Sequence, residues 1–100
     1  MDEDIENKGG RKDDQDKLRY DLIPPEPIKE LAAVLTFGAK KYAPNNWQKV
    51  PEARARYYAA MMRHLEAWRM GEIHDDESDL RHLAHALCCL TFLLWFEVKK

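Results

Sequence analysis

The stretch from His64 to His85 reads HLEAWRMGEIHDDESDLRHLAH. A mostly apolar helical pattern enters this stretch and another leaves it, so we interpret it as a helix–loop–helix corner. Gly71 lies near the end of the first helix, and Ser78 is the predicted N-cap of the next. Imidazoles and carboxylates are concentrated at this corner. Because helices fix side-chain directions and a short loop brings helix ends together, the corner can gather these groups around one cation or one metal-bound phosphate.

Three main helices are predicted on either side of this loop. Helix one is expected over about residues 26–42, after a pair of prolines, and helix two over about residues 52–70. Helix three is expected over about residues 79–98. Helical spacing predicts that helix one buries an apolar face made of Ile28, Leu31, Leu35, Ala39 and Tyr42.

Helix three is apolar almost all round beyond Leu83. A helix without a polar face is buried on every side, and a domain of three helices can hardly surround it alone. We therefore expect an all-α fold, a short helical domain built on a helix–loop–helix core, that assembles into a helical homo-oligomer through helix three.

Length and composition indicate a single small domain. A chain of 100 residues fits one core; residues 1–16 are polar enough to form a flexible tail, and residues 17–100 form the domain. The net charge of −2 gives no argument for a nucleic-acid partner. No apolar run reaches the ~20 residues of a membrane span, so no membrane association is expected. The adjacent Cys88 and Cys89 offer no disulfide framework, which fits a reducing cytoplasm.

Several segments together resemble one bacteriophage family. They are RYDLIP at residues 19–24, LTFGAKKY at 35–42, NW at 46–47, RHLEAW at 63–68, and GEIHDDES followed by HLAHA within 71–86. In order and spacing they are similar to the N-terminal-type dATP/dGTP diphosphohydrolase domain of bacteriophages, which is related to the all-α MazG-like nucleoside triphosphate pyrophosphohydrolases. The match covers about residues 12–96. The MazG-like acidic pattern EExxE, followed by ExxD on the next helix, is absent, and the acids cluster in the corner loop instead.

The resemblance implies an enzyme of nucleotide metabolism. The expected reaction is hydrolysis of a purine deoxynucleoside triphosphate, dGTP or dATP, to the monophosphate and pyrophosphate. The expected cofactor is Mg²⁺ or Mn²⁺, the expected assembly is a homo-oligomer, and the expected location is the cytoplasm of the host cell.

The carboxylates of the corner loop are the candidate metal ligands, because hard oxygen atoms suit Mg²⁺. They are Glu72, Asp75, Glu77 and Asp79. The alternative interpretation is a solvated acidic loop that caps helix three, since acids favour a helix N-terminus.

The candidate catalytic groups are Glu72 and two histidines three residues apart on helix three, His82 and His85. A neutral imidazole can bind a metal or orient a carboxylate or a water molecule. The alternative is that both histidines are satisfied core residues. His64 is a weaker candidate for the site, and His74 is expected to be exposed.

Residues outside the corner are the candidates for binding the base and the phosphates of a nucleotide. Asn46 and Trp47 could read and stack a base, although Trp47 could equally plug the core. The candidate phosphate-binding residues are Lys17, Arg19, Lys40 and Arg63.

Three other functions are left open by the residues. His74 and Asp75 together would fit an HD-type phosphohydrolase. His82 and His85 with one of the two cysteines would fit a zinc-stabilised binding module. A non-enzymatic helical phage adaptor would need only the apolar surface of helix three. The preference between dGTP and dATP, the number of metal ions, the exact oligomer and the water-activating base are not fixed by the sequence.

Overall fold

The computed structural model describes residues 10, 11, 13 and 15–99, so most of the expected tail over residues 1–16 lies outside the described residues. Within the described residues the chain forms three α-helices: α1 (Pro25–Lys41), α2 (Ala53–Arg69) and α3 (His82–Lys99). Short 3₁₀ helices precede α1 at Tyr20–Leu22 and follow it at Asn46–Lys49. The predicted all-α class is confirmed.

Gly71 ends α2. Its φ of 103° is open to glycine and strained for other residues. In this conformation the Gly71 N–H donates to the carbonyl of Trp68, and the Glu72 N–H donates to the carbonyl of Ala67. This pair of bonds is the Schellman motif, which satisfies the last helical carbonyls. The chain therefore leaves α2 sharply and turns back towards α3.

The start of α3 differs from the prediction. The helix begins at His82 rather than near Asp79, and Ser78 is not its N-cap. Asp79 adopts a left-handed φ of 60°, which interrupts any helix there. The loop instead closes on itself, because the Asp75 N–H donates to the Leu80 carbonyl at 2.7 Å and the Asp79 N–H donates to the Asp75 carbonyl at 2.8 Å.

The core lies along one side of α3. Its buried members are Val34, Ala84, Cys88 and Phe92, and Leu31, Trp47, Tyr57 and Leu80 pack against them. The indole of Trp47 stacks on the Phe92 ring at 4.2 Å with the planes 8° apart. The Tyr57 hydroxyl donates to the Trp47 carbonyl at 3.2 Å, which fastens the loop between α1 and α2 to the core.

The predicted apolar face of α1 is only partly correct. Leu31 packs on the core, but the buried residue of the helix is Val34, and Ile28, Leu35 and Tyr42 are exposed. Apolar residues occur on two sides of α1, and α3 covers only the side that carries Leu31 and Val34. The other side faces solvent in the single chain.

Among the described residues, α3 has the length and mean hydropathy (1.2) of a membrane span. No span is expected from the sequence, because no uninterrupted apolar run reaches ~20 residues. This is weak evidence, because the core helix of a soluble protein meets the same criteria. Here α3 packs against both other helices and carries most of the buried core.

Candidate functional site

Three side chains converge where α2, the corner loop and α3 meet. His64 comes from α2, Asp75 from the loop and His82 from the first turn of α3. One potential ligand atom of each lies within 4.8 Å of the other two. The Nδ1 atoms of the two imidazoles are 2.9 Å apart. We call these three residues the corner cluster.

His82 is held from its opposite side. Its Nε2 lies 3.1 Å from Oε1 of Glu72, so an Nε2–H proton donates to that carboxylate. This bond favours the tautomer that leaves Nδ1 of His82 free of a proton, so Nδ1–H of His64 donates to it at 2.9 Å. Glu72 reaches His82 because the Schellman turn places it just beyond the end of α2.

Asp75 is held by Ser78. The Ser78 N–H and the Ser78 hydroxyl each donate to Oδ2 of Asp75 at 2.9 Å. The same hydroxyl oxygen lies 2.7 Å from Nε2 of His85, which can donate to it. The His85 ring also stacks on the His64 ring at 4.5 Å with the planes 9° apart. Ser78 and His85 therefore fix the positions of Asp75 and His64.

Burial and neighbouring charges keep the imidazoles of His64 and His85 neutral. Burial, reinforced by His85, lowers the pKa of His64 from 6.5 to about 4. Burial also lowers the pKa of His85, although Asp75 partly opposes this effect. Burial tends to raise the pKa of Asp75, but the hydrogen bonds from Ser78 and the nearby His85 and His64 leave that pKa below its usual value. At neutral pH His64 and His85 are thus neutral imidazoles and Asp75 is an ionised carboxylate, the charge states in which these residue types bind metals.

These shifts predict that acid destabilises the metal-free protein. His64 and His85 have a lower pKa in the folded than in the unfolded chain, so the unfolded chain binds more protons below pH 6.5, for His64 down to about pH 4. The stabilisation is complete above about pH 6.5 and is lost as the pH falls towards about 4. In EDTA-containing buffer we expect the midpoint of thermal unfolding, followed by circular dichroism, to fall between pH 7 and pH 5. A midpoint that stays constant or rises over this interval would contradict the prediction.

Two residues of the corner cluster, His64 and Asp75, line a groove of about 1280 Å³. His64, Asp75 and His85 lie at its wall, whereas Val34, Cys89 and Phe92 contribute apolar surface. Five cationic residues also line it: Lys40, Lys41, Lys49, Arg56 and Arg63. The groove therefore joins potential metal ligands, positive charge and an apolar surface, which are the features that a nucleoside triphosphate requires.

The structure separates the four predicted metal ligands. Asp75 belongs to the corner cluster, and Glu72 contacts the far side of His82. Glu77 instead forms an ion pair with Lys41, and the exposed Asp79 lies outside the cluster. The roles of these residues stay predictions; of the four, Asp75 belongs to the corner cluster and Glu72 contacts His82.

Only some of the residues predicted to contact the phosphates or the base line the groove. Lys40, Arg63 and Asn46 line the groove, but Lys17 and Arg19 do not, and the Arg19 guanidinium pairs with Asp21. Trp47 lines the groove as well, yet its stacking on Phe92 and its edge contact with Trp95 fit the core-plug alternative.

Two residues, His64 and Ser78, make contacts at the corner that the sequence pattern does not predict. His64 was a minor candidate and lies at the centre of the corner cluster. Ser78 was interpreted as a helix cap, but its partner is Asp75. The signal was present in the Asp-x-x-Ser spacing, since an aspartate commonly accepts hydrogen bonds from residues two or three positions ahead.

Two of the alternative functions gain no support from the geometry. Neither cysteine belongs to the corner cluster, the only potential ligand group among the described residues, and burial raises the pKa of Cys88 to about 12 and of Cys89 to about 11. His74, which an HD-type site would need beside Asp75, is exposed and outside the cluster.

Comparison with known proteins gives a consistent result. Residues 7–100 match the profile of the family described as dATP/dGTP diphosphohydrolase, N-terminal. The chain is also 40% identical over 86 residues to a protein of Salmonella phage PMBT28 named dATP/dGTP diphosphohydrolase. That alignment covers 86% of this chain but only 29% of the relative. No solved structure matches the chain.

Proposed function

Because the chain belongs to the dATP/dGTP diphosphohydrolase N-terminal family, we propose that it hydrolyses a purine deoxynucleoside triphosphate to the monophosphate and pyrophosphate in a metal-dependent reaction. The observation that carries the proposal is that two of the three residues of the corner cluster, His64 and Asp75, lie at the wall of a cation-lined groove. The choice of dGTP or dATP follows the name of the phage relative, of which this chain spans less than a third.

A divalent cation fits the corner cluster. Two imidazole nitrogens and one carboxylate, from His64, His82 and Asp75, lie close enough to share one ion. Mg²⁺ or Mn²⁺ is the cofactor implied by the resemblance. When bound, the cation would neutralise phosphate charge and polarise the bond to be cleaved.

The cationic residues of the groove are suited to the rest of the triphosphate. Lys40 and Arg63 can contact phosphate oxygens, with arginine as a two-pronged donor and lysine as a mobile point charge. Lys41 can join them, because its partner Glu77 is exposed and an exposed ion pair contributes only about 0–1 kcal/mol. A bound triphosphate would place several negative charges near Lys41, whereas Glu77 supplies only one.

The catalytic candidates have different positions relative to the groove. His85 lies at the groove wall, and its lowered pKa keeps the imidazole neutral at pH 7, so it can accept a proton from an attacking water molecule. His82 and Glu72 do not line the groove. We assign His82 to ion binding and Glu72 to holding the His82 ring.

The test is incubation of the chain with each of the four deoxynucleoside triphosphates in Mg²⁺ or Mn²⁺, with all products resolved. We expect monophosphate and pyrophosphate in equal amounts, with higher kcat/KM for the purines. Asn46 is the proposed source of this preference, because an amide can donate to and accept from a base edge. Release of intact triphosphate, or the absence of any hydrolysis, would contradict the proposed reaction. Equal kcat/KM for all four substrates would contradict the base preference.

The apolar surface left open by the single chain supports a homo-oligomer. On α3 the exposed residues Leu83, Leu90, Leu94 and Val98 follow each other at intervals of seven, four and four positions, which forms one stripe. The exposed Ile28, Leu35 and Tyr42 form a second stripe on α1, at intervals of seven. We propose that a second copy of the chain covers these stripes, in the host cytoplasm and without a nucleic-acid or membrane partner.

The oligomer predicts the effect of charge on α3. Leu90→Glu or Leu94→Glu would bury a carboxylate in the interface, so we expect insoluble or unfolded protein. Lys99→Glu, which changes charge near the end of the same helix, serves as the control and should stay soluble. Analytical ultracentrifugation of the unmodified chain should detect an oligomer. A stable folded monomer at micromolar concentration would contradict the proposal.

A further inference from the structure

We propose that the corner cluster selects a first-row transition-metal dication, such as Mn²⁺, Co²⁺ or Zn²⁺, over Mg²⁺. The ligands would be the Nδ1 atoms of His64 and His82 and the carboxylate of Asp75. The role of the ion in hydrolysis rests on the proposed function, whereas its binding does not.

The first argument is the distance between the two imidazoles. Their Nδ1 atoms lie 2.9 Å apart. Two nitrogen ligands at about 2.1 Å from one ion are about 3.0 Å apart at the right angle of an octahedral site and about 3.4 Å apart at the tetrahedral angle. In the metal-free site the contact is a hydrogen bond between the two rings, so a dication would displace one proton from nitrogens that already lie near the octahedral separation. The stacking of His85 on His64 and the burial of His82 keep the rings there.

The second argument is the chemistry of the donor atoms. Imidazole nitrogens suit transition metals, whereas Mg²⁺ prefers oxygen ligands and gives up its water reluctantly. Two of the three donors in the cluster are nitrogens. The carboxylates that could make an all-oxygen site are placed elsewhere, since Glu77 pairs with Lys41 and Asp79 is exposed outside the cluster.

The third argument is the set of groups behind the ligands. A metal-binding histidine commonly donates its other ring N–H to a carboxylate, which fixes the ring and raises its basicity. Glu72 stands in that position behind His82 at 3.1 Å. Ser78 does the equivalent for Asp75 with two hydrogen bonds. All three residues are therefore oriented without an ion, and two of them, His64 and Asp75, lie at the wall of the groove.

The test is metal binding by the EDTA-stripped, full-length chain. Isothermal titration with MnCl₂, CoCl₂, ZnCl₂ and MgCl₂ should give a Kd for Mn²⁺ at least about tenfold lower than for Mg²⁺, with Zn²⁺ at least as tight as Mn²⁺. Bound Co²⁺ should develop visible ligand-field absorption. Mg²⁺ binding as tight as Mn²⁺ binding, or a Co²⁺ spectrum identical to that of the ion in buffer, would overturn the inference.

Variants locate the binding at the cluster. The Glu72 side chain is 61% exposed, so Glu72→Gln should fold normally and weaken Mn²⁺ binding by about 10- to 100-fold, the usual effect of losing such a supporting carboxylate. His64→Asn should abolish tight binding. His74→Gln removes an exposed imidazole of the same loop and should leave the Kd unchanged. Unaltered affinity in Glu72→Gln, or an equal loss in His74→Gln, would contradict the assignment.

The outcomes separate this inference from the proposed function. A chain that binds Mn²⁺ through the cluster but hydrolyses no deoxynucleoside triphosphate would overturn the function and support the inference. A chain that hydrolyses the triphosphates while binding Mg²⁺ as tightly as Mn²⁺ would support the function and overturn the inference.

Discussion

Asp75→Asn is expected to lower kcat/KM for dGTP by about a thousandfold while the protein stays folded. Asp75 is the one carboxylate of the corner cluster, so in the proposed site it would supply the only negative charge to the ion. Loss of charge stabilisation by the ion costs several kcal/mol in the transition state, and about 4 kcal/mol corresponds to about a thousandfold in rate. The amide keeps the size of the side chain and an oxygen that can accept from Ser78. Steady-state kinetics with saturating Mn²⁺ measures the effect.

The neighbouring Asp76 supplies the matched control. It is exposed and outside the corner cluster, so Asp76→Asn removes the same charge one residue away. We expect its kcat/KM to stay within about threefold of the unmodified chain, since an exposed charge is largely screened. If both variants lose activity equally, the loop acts only through its net charge. If Asp75→Asn remains fully active, the ion lies elsewhere.

Phe92→Ala is expected to lower the free energy of unfolding by about 3–5 kcal/mol, the usual cost of truncating a buried phenylalanine. The side chain is only 8% exposed and belongs to the core cluster of α1 and α3. Its ring stacks on Trp47 and makes an edge contact with Tyr57 at 4.9 Å. Truncation therefore leaves a cavity between all three helices and the loop that follows α1. Urea denaturation, with a common m-value, measures the change.

Tyr58→Ala is the control for this experiment. Tyr58 is an aromatic residue of α2 that is 54% exposed, so its truncation should cost less than about 1 kcal/mol. A loss of less than about 1 kcal/mol for Phe92→Ala would mean that the ring is not part of a tightly packed core. Because Trp47 stacks on the same ring, we expect the main effect of Trp47→Ala to be a lower free energy of unfolding rather than a changed KM for a nucleotide.

The helices could be predicted from the sequence because helical periodicity and strong end signals agree. All three predicted helices occur, with the start of α3 displaced by three residues. The displacement arises at Asp79, whose left-handed conformation is uncommon for a non-glycine residue and has no reliable signal in the sequence. The buried side of α1 was misassigned in part because the helix has apolar residues on two sides. Spacing alone does not decide which side meets α3.

The corner could be located from the sequence, but its internal geometry could not. Local crowding of acids and imidazoles in the sequence identifies the loop that contributes Asp75 to the corner cluster. The direction of each side chain in an irregular loop depends on hydrogen bonds such as those from Ser78 to Asp75, and these have no periodicity. For the same reason His64, ten positions before His74 on another element, did not stand out. Its place in the cluster depends on how α2 crosses α3.

Pyrophosphate release before and after metal is restored tests the central claim most directly. The purified chain would be stripped with EDTA, freed of chelator, and assayed with dGTP before and after addition of Mn²⁺, in parallel with Asp75→Asn. The account predicts no release by the stripped protein and restored release of pyrophosphate with an equal amount of dGMP when Mn²⁺ is added, in the unmodified chain only. Release by the stripped chain, no recovery with Mn²⁺, or equal recovery in Asp75→Asn would contradict a metal-dependent site at this corner.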